Sequence, residues 1–258
     1  MDRTIYLDHM ASTPLDPVVL EEMLPWMTAA GAGNPHAAGH RRGWRAAEAI
    51  EQARGDVAAL LGARPGEILF TSGATEANAL ALLGGVPEGW PVLCSTVEHP
   101  SVLACVAELA RRGHPARLLP VDGAGRADPG ALDGLGPALV SVMAANNEVG
   151  TVQPIGELAR RCREAGGLFH TDAVQRLGTG KIDVAALGID LYAQAPRWFV
   201  VTLGCGVVAM GASVWLARHW LRQATPGSRI ERLLDSLSGC SLSRARTELR
   251  QIERFERE

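Results

Sequence analysis

Four short stretches of this 258-residue chain carry side chains that could do chemistry together. LFHTDAVQ (168–175) runs through apolar residues into a carboxylate, Asp172, with the amide of Gln175 three residues on. A carboxylate at the tip of an apolar run needs a cationic partner, because burying it unpaired is costly. In TSGATEAN (71–78), Gly73 permits a sharp turn. The first N–H groups of a helix opening at Ala74, with the Thr75 hydroxyl, could cradle a phosphate, although the same residues also read as an ordinary Ser/Thr helix cap. VEHPSV (97–102) sets His99 just past a strand, where it could stack on a flat ring, exchange protons, or be merely structural. ANNEVGT (145–151) sets Asn147 past another strand, as a ligand amide or as part of an Asn-rich turn. No metal site is expected.

The elements that must position these residues alternate. RRGWRAAEAIEQARGDVAALLG has helical spacing and stops at Gly62. EILF (67–70) reads as a short strand feeding the helix of SGATEANALALLGG. PVLCSTV is a strand, followed by the helix PSVLACVAELARRG, opened by Pro100 and closed by Gly113. ARLLPV, ALVSVMAA and GLFHTDA are further strands, with the helix IGELARRCREAGG before the last. Strands alternating with helices imply an α/β domain with a mainly parallel sheet. Ligands bind at the carboxyl ends of such strands, where all four stretches fall. A phosphate cradle, a ring-facing histidine, an aspartate and two amides suit one flat, phosphorylated ring with a basic nitrogen. Pyridoxal 5′-phosphate is such a ring, and Asp172 would pair with its protonated nitrogen.

Composition narrows the alternatives. A formal charge of −3 gives no general attraction for nucleic acid or an anionic membrane. Hydrophobic residues make up 47%, enough for a sizeable core. Cys94, Cys105, Cys162, Cys205 and Cys240 are odd in number and form no CxxC pair, as expected of reduced thiols in a cytoplasm. The start, MDRTIYLDHM, has no signal-peptide core. FVVTLGCGVVAMGASVWLA (199–217) is uncharged and long enough to cross a membrane, but its glycines and missing caps weigh against that, and buried strands are the other reading. The end, SLSRARTELRQIERFERE, reads as a solvated helix or a disordered tail.

Seen together, YLDHMASTPLDP (6–17), GNPHAAGH (33–40), ILFTSGATEANALAL (68–82), VEHPSV, SVMAANNEVGTVQPI (141–155), LFHTDAVQRLGTGKIDV (168–184) and LGIDLYA (187–193) resemble the NifS/IscS-type cysteine desulfurases, in the class V aminotransferase group of fold-type I pyridoxal phosphate enzymes. The resemblance implies that Ala74 and Thr75 hold the phosphate. It implies that His99 stacks on the ring and assists proton transfer, and that Asn147 sits near the ring hydroxyl and the substrate. Asp172 would pair with the pyridinium and Gln175 bond the ring oxygen. It also implies removal of sulfur from L-cysteine to give alanine and a persulfide, with delivery to iron–sulfur assembly or tRNA thiolation. A sulfur acceptor such as an iron–sulfur scaffold, a homodimer, and no nucleic-acid or membrane partner complete what it implies.

The resemblance breaks where the family needs its aldimine lysine. In ungapped register, Ala195, Arg197 and Trp198 stand where the family has Ser, His and Lys, and the Gly-Pro-Lys-Gly that follows is absent. Lys181, the one lysine, lies in a non-catalytic segment. No segment matches the family's cysteine loop or carboxylate-binding arginine, so neither Cys205 nor Cys240 is assigned a persulfide. The expectation is an N-terminal arm (1–14), a cofactor-binding domain (15–193) and a divergent tail (194–258), with the C-terminal small domain largely missing. A changed reading frame would explain the abrupt break and the clustering of Trp198, Trp215 and Trp220; adaptive remodelling is the alternative. The chain is then an inactive member of the cysteine desulfurase family, or, in a different class, a non-catalytic scaffold that keeps the fold to bind partners. Another class V reaction, such as that of a selenocysteine lyase, is disfavoured because it too needs the lysine.

Overall fold

Three helices start and stop where their caps dictate. In the computed structural model of this protein, the described residues are 5, 14–176 and 182–194. After α1 (Pro17–Met23), opened by the Asp16 carboxylate, α2 runs from Arg41 to Leu61 and buries Ala46, Ala58 and Leu61. It ends at Gly62, which is left-handed at φ 69°. A side chain there would be strained, and its Cβ would stand 2.6 Å from Asp183 Oδ1. Next come α3 (Ala74–Gly85), β1 (Val92–Ser95) and α4 (Pro100–Arg111). The last opens on proline at its first position, where the missing N–H costs nothing. β2 (Ala116–Leu119), β3 (Leu139–Ser141), α5 (Ile155–Glu164) and β4 (Leu168–Asp172) follow. The short α6 (Val184–Leu187) and β5 (Leu191–Ala193) close the series.

The five strands form one sheet in the order β2-β1-β3-β4-β5, and every pairing is parallel. The mainly parallel α/β reading is therefore what the chain adopts. Cys94, Ser141, His170 and Leu191 lie in one row across the sheet. Strands β1, β3, β4 and β5 are buried along their whole length, as parallel strands covered on both faces must be. Phe169, Tyr192, Leu93 and Leu158 lie in the core they form with the helices.

One expected element is missing. EILF is not a strand: Glu67 closes a tight 3-10 turn and residues 68–70 are irregular. A strand needs a neighbour to take its backbone groups. Here Ile68 N–H bonds Pro65 O, and Ile68 O accepts from Arg54 Nη1 at 2.5 Å. ALVSVMAA is shorter as a strand than its sequence implies, although Val142 and Ala144 still donate to His170 O and Asp172 O of β4. No helix among the described residues is long and apolar enough to cross a membrane. The apolar run 199–217 and Lys181, Trp198, Cys205 and Cys240 lie outside the described residues.

Candidate functional site

Asp172 is the last residue of β4, in register with Ala193, and is 5% exposed. Its Oδ2 accepts from Asn78 Nδ2 at 2.7 Å and its Oδ1 from the Val174 N–H at 3.1 Å. Both donors are neutral, and Asp172 makes no salt bridge among the described residues. Burial therefore raises its pKa, opposed by those two hydrogen bonds and by the nearby His99.

Asn78 links this carboxylate to His99. Fully buried on α3, it sends an amide N–H to Asp172 and another to Ser101 Oγ at 3.1 Å. Ser101 Oγ lies 2.8 Å from His99 Nδ1, and the Ser101 N–H donates to the same nitrogen at 3.1 Å. A backbone N–H can only donate, so Nδ1 is an acceptor and the neutral ring carries its proton on Nε2. His99 is the N-cap of α4, and its ring is exposed. Asp172 and His99, ends of two different strand–helix junctions, thus share one chain of hydrogen bonds.

Buried polar side chains hold the loops beneath them. Glu98 Oε1 accepts from Ser95 Oγ at 2.6 Å and from the Met143 N–H at 2.8 Å, pinning the turn after β1 to the end of β3. Burial pushes the Glu98 carboxyl up to about 8; its two hydrogen bonds oppose this and the Asp172 charge adds to it. Asn146 Nδ2 donates to Val97 O, and its Oδ1 accepts from the N–H groups of Glu148 and Val149. This latches the loop after β3 onto the same turn. Asn147, on that loop, is half-buried and bonds its neighbour Glu148 rather than His99 or Asp172. His170, fully buried beneath Asp172 on β4, shares a proton with Ser141 Oγ at 2.8 Å. Burial lowers its pKa to about 3.

At the start of α3, Gly73 is the N-cap and offers no side-chain acceptor to the first-turn N–H groups, so the ordinary Ser/Thr cap is not what the sequence builds. Thr71 Oγ1 donates to Gly73 O instead, and Ser72 gives both its N–H and its hydroxyl to Glu76. Ala74 is half-buried and Thr75 exposed at this helix end; neither is bonded to the Asp172–His99 chain. Gln175 is half-buried in the turn after β4. The residues fit pyridoxal 5′-phosphate: a buried carboxylate met, among the described residues, only by neutral donors suits a ring N–H⁺, and a helix start without a side-chain cap suits a phosphate.

Sequence reasoning passed over Asn78, Ser101, Glu98 and Asn146. Asn78 had a readable signal: Ala77, Asn78, Ala81, Leu82 and Gly85 form the buried face of α3, and a lone amide on such a face must find partners.

A family model for aminotransferase class-V matches residues 5–223, reaching past Ala193 where the motif-by-motif resemblance stops. The chain is similar to the cysteine desulfurase IscS of Rickettsia bellii, 44% identical over 195 residues, which are 72% of this chain and 47% of that protein. It is also similar to the mitosomal cysteine desulfurase of Encephalitozoon cuniculi, 41% identical over 218 residues, 80% of this chain and 50% of that one. Among solved structures it resembles SspA in complex with cysteine, with a TM-score of 0.76 at 33% identity, over 86% of this chain and 63% of that one. The chain spans about half the length of the curated relatives it matches.

Proposed function

Since the chain belongs to the aminotransferase class-V family, among the relatives of cysteine desulfurases, we propose that it is a pyridoxal 5′-phosphate-binding protein of the cysteine desulfurase type, acting in the family on L-cysteine. One observation carries this reading. Asp172 is a buried carboxylate whose donors among the described residues are neutral, on the same chain of hydrogen bonds as an exposed histidine at another strand end.

Asp172 would accept the protonated ring nitrogen, and its negative charge would keep that nitrogen protonated. The first-turn N–H groups of α3, at Ala74 and Thr75, with the Thr75 hydroxyl, would take the phosphate. His99, its Nδ1 occupied by Ser101, would face the ring and offer its Nε2–H as the mobile proton. Asn147 and Gln175 would serve the ring hydroxyl. When bound, pyridoxal 5′-phosphate supplies an electron sink for breaking bonds at the amino-acid carbon. The buried side chains beneath the site keep water from Asp172. Residues 15–193 would form the cofactor-binding domain; the motif-by-motif resemblance ends there, while the family model runs on to residue 223.

Turnover needs an uncharged amine as nucleophile. Trp198 stands where the family has that lysine, so the chain as written binds the cofactor noncovalently and releases no sulfide. A sulfur acceptor such as an iron–sulfur scaffold, and a homodimer, belong to the same reading. The buried unpaired thiols Cys94, Cys105 and Cys162 accord with a cytoplasmic setting.

The test is an absorbance titration of the purified chain with pyridoxal 5′-phosphate, then borohydride treatment, peptide mapping and a sulfide assay with L-cysteine. The expected result is saturable binding without borohydride-fixed label and without sulfide. Label on Lys181 together with cysteine-dependent sulfide would overturn the inactive reading, and no saturable binding would overturn the cofactor reading. The combined variant Ala195→Ser, Arg197→His and Trp198→Lys should gain borohydride-fixed label without sulfide release.

A further inference from the structure

We propose that Asn78 is a positioning residue that couples the two ends of the cofactor site: its single amide ties Asp172 to Ser101, and through Ser101 to His99, so that the group for the ring nitrogen and the group for the ring face are set together. The proposal rests on the cofactor reading above and adds to it a residue outside the family motif's site positions.

The geometry admits little freedom. Asn78 is 0% exposed, and its Nδ2 is the donor in both bonds, 2.7 Å to Asp172 Oδ2 and 3.1 Å to Ser101 Oγ. An amide nitrogen has two N–H groups, and both are spent. Turning the amide over would aim Oδ1 at the carboxylate, an acceptor against an acceptor. The orientation is thus set by Asp172 accepting at Oδ2. Ser101, receiving an N–H from Asn78, must spend its own hydroxyl proton on His99 Nδ1, where the Ser101 N–H also points. The directions are set from both ends: the Asp172 carboxyl takes one amide N–H, and the Ser101 N–H makes Nδ1 of His99 an acceptor for the Ser101 hydroxyl. Loss of the Asp172 acceptor would free the amide to turn, and with it the contact it makes to Ser101 Oγ.

A structural filler would behave differently, because the coupling predicts effects at a distance. In the full chain without cofactor, the carboxyl ¹³C signal of Asp172 and the ring ¹⁵N signals of His99 are followed through a pH titration. Asn78→Leu should move the Asp172 midpoint upward, since a hydrogen bond to the ionised form is lost. Ser101→Ala, at a half-buried site, keeps the N–H bond to Nδ1 but cuts the link. It should shift the Asp172 carboxyl signal as well as the His99 ring signals.

With pyridoxal 5′-phosphate added, Asn78→Leu should weaken binding about tenfold, the loss of one hydrogen bond to a charged group. The double variant should be weaker than Asn78→Leu by less than the Ser101→Ala effect alone, as for residues acting in one network. An Asp172 signal indifferent to Ser101→Ala, or strictly additive losses, overturns the proposal. Should Asn78→Leu fail to fold, Ser101→Ala alone still decides through the Asp172 signal. Should the unmodified chain bind no pyridoxal 5′-phosphate, the cofactor reading fails, and the titrations without cofactor still decide the coupling.

Discussion

Two pairs of carboxylates in this protein live in opposite settings. On the outer faces of the helices, Glu108 is held by Arg111 and Arg112, and Glu157 by Arg160 and Arg161, at 2.6–2.8 Å. Hydrogen bonds from these arginines bring both carboxyls down to about 2. At the strand ends, Asp172 and Glu98 are buried, meet only N–H and O–H donors, and are pushed the other way. Guanidinium groups are plentiful in this chain, and Arg64 meets even the buried Glu67, yet Asp172 and Glu98 receive none among the described residues. Surface pairs of this kind stabilise little, because solvent screens them. An interior carboxylate left without a cation costs stability and gives affinity for one. At Asp172 the difference separates charge spent on the fold from charge kept for a ligand.

The contrast is tested most severely at Asp172. Asp172→Ala should weaken pyridoxal 5′-phosphate binding about 100-fold, the upper range for a hydrogen bond to a charged group. An absorbance titration measures it, and an affinity equal to that of the unmodified chain would dissolve the distinction between the two settings.

Next in size is a pH effect on stability at Glu98. Its folded carboxyl titrates near 8 against an ordinary value of 4.5, so the native state holds the extra proton in between. Its contribution is therefore fully present below about pH 4.5 and is lost as pH rises through about 8. Glu98→Gln should be more stable than the unmodified chain above pH 8 by roughly 2–4 kcal/mol, and closely matched to it below pH 4.5. His170 acts in the opposite sense: folded near 3 against 6.5, it makes stability fall as pH drops from 6.5 toward 3. The two offset each other between about pH 4.5 and 6.5, so urea melts should show a plateau there, with declines on both sides. A steady rise in stability from pH 6.5 to 8 would contradict the burial of Glu98.

The smallest effect belongs to the outer setting. Glu157→Gln should change stability little despite its two arginines, and less still at high salt. Thermal melts at two ionic strengths would check this. A stability change as large as that of Glu98→Gln above pH 8 would mean that these surface and interior carboxylates are not distinct after all.

Much of the scaffold could be read from the chain because its signals are local. Pro100 and Gly113 bracket α4, Gly62 ends α2, and the apolar runs of β1 and β4 have the length and flanks of buried strands. EILF has the same composition, but whether such a run becomes a strand depends on a neighbour that no local signal announces. The short α6 and β5 lie below the length at which periodicity speaks. Asp172 and His99 were legible because their residue types are chemically loud at strand ends. Asn78 and Ser101 were not, since an amide inside a helix and a serine after a helix-opening proline are ordinary until the contacts across the sheet are known.

The Asn78 amide also has a history in time. Its bond to Ser101 closes a loop of 23 residues, and its bond to Asp172 one of 94. Closing the longer loop costs about 1 kcal/mol more in chain entropy, and it must wait for β1, β3 and β4 to align. Asn78 and Ser101, on α3 and α4, can meet early, while the carboxylate arrives late. During synthesis, a ribosome must deliver nearly a hundred residues beyond Asn78 before the amide meets its anion, so the half-site carrying His99 precedes the half-site that receives the charge.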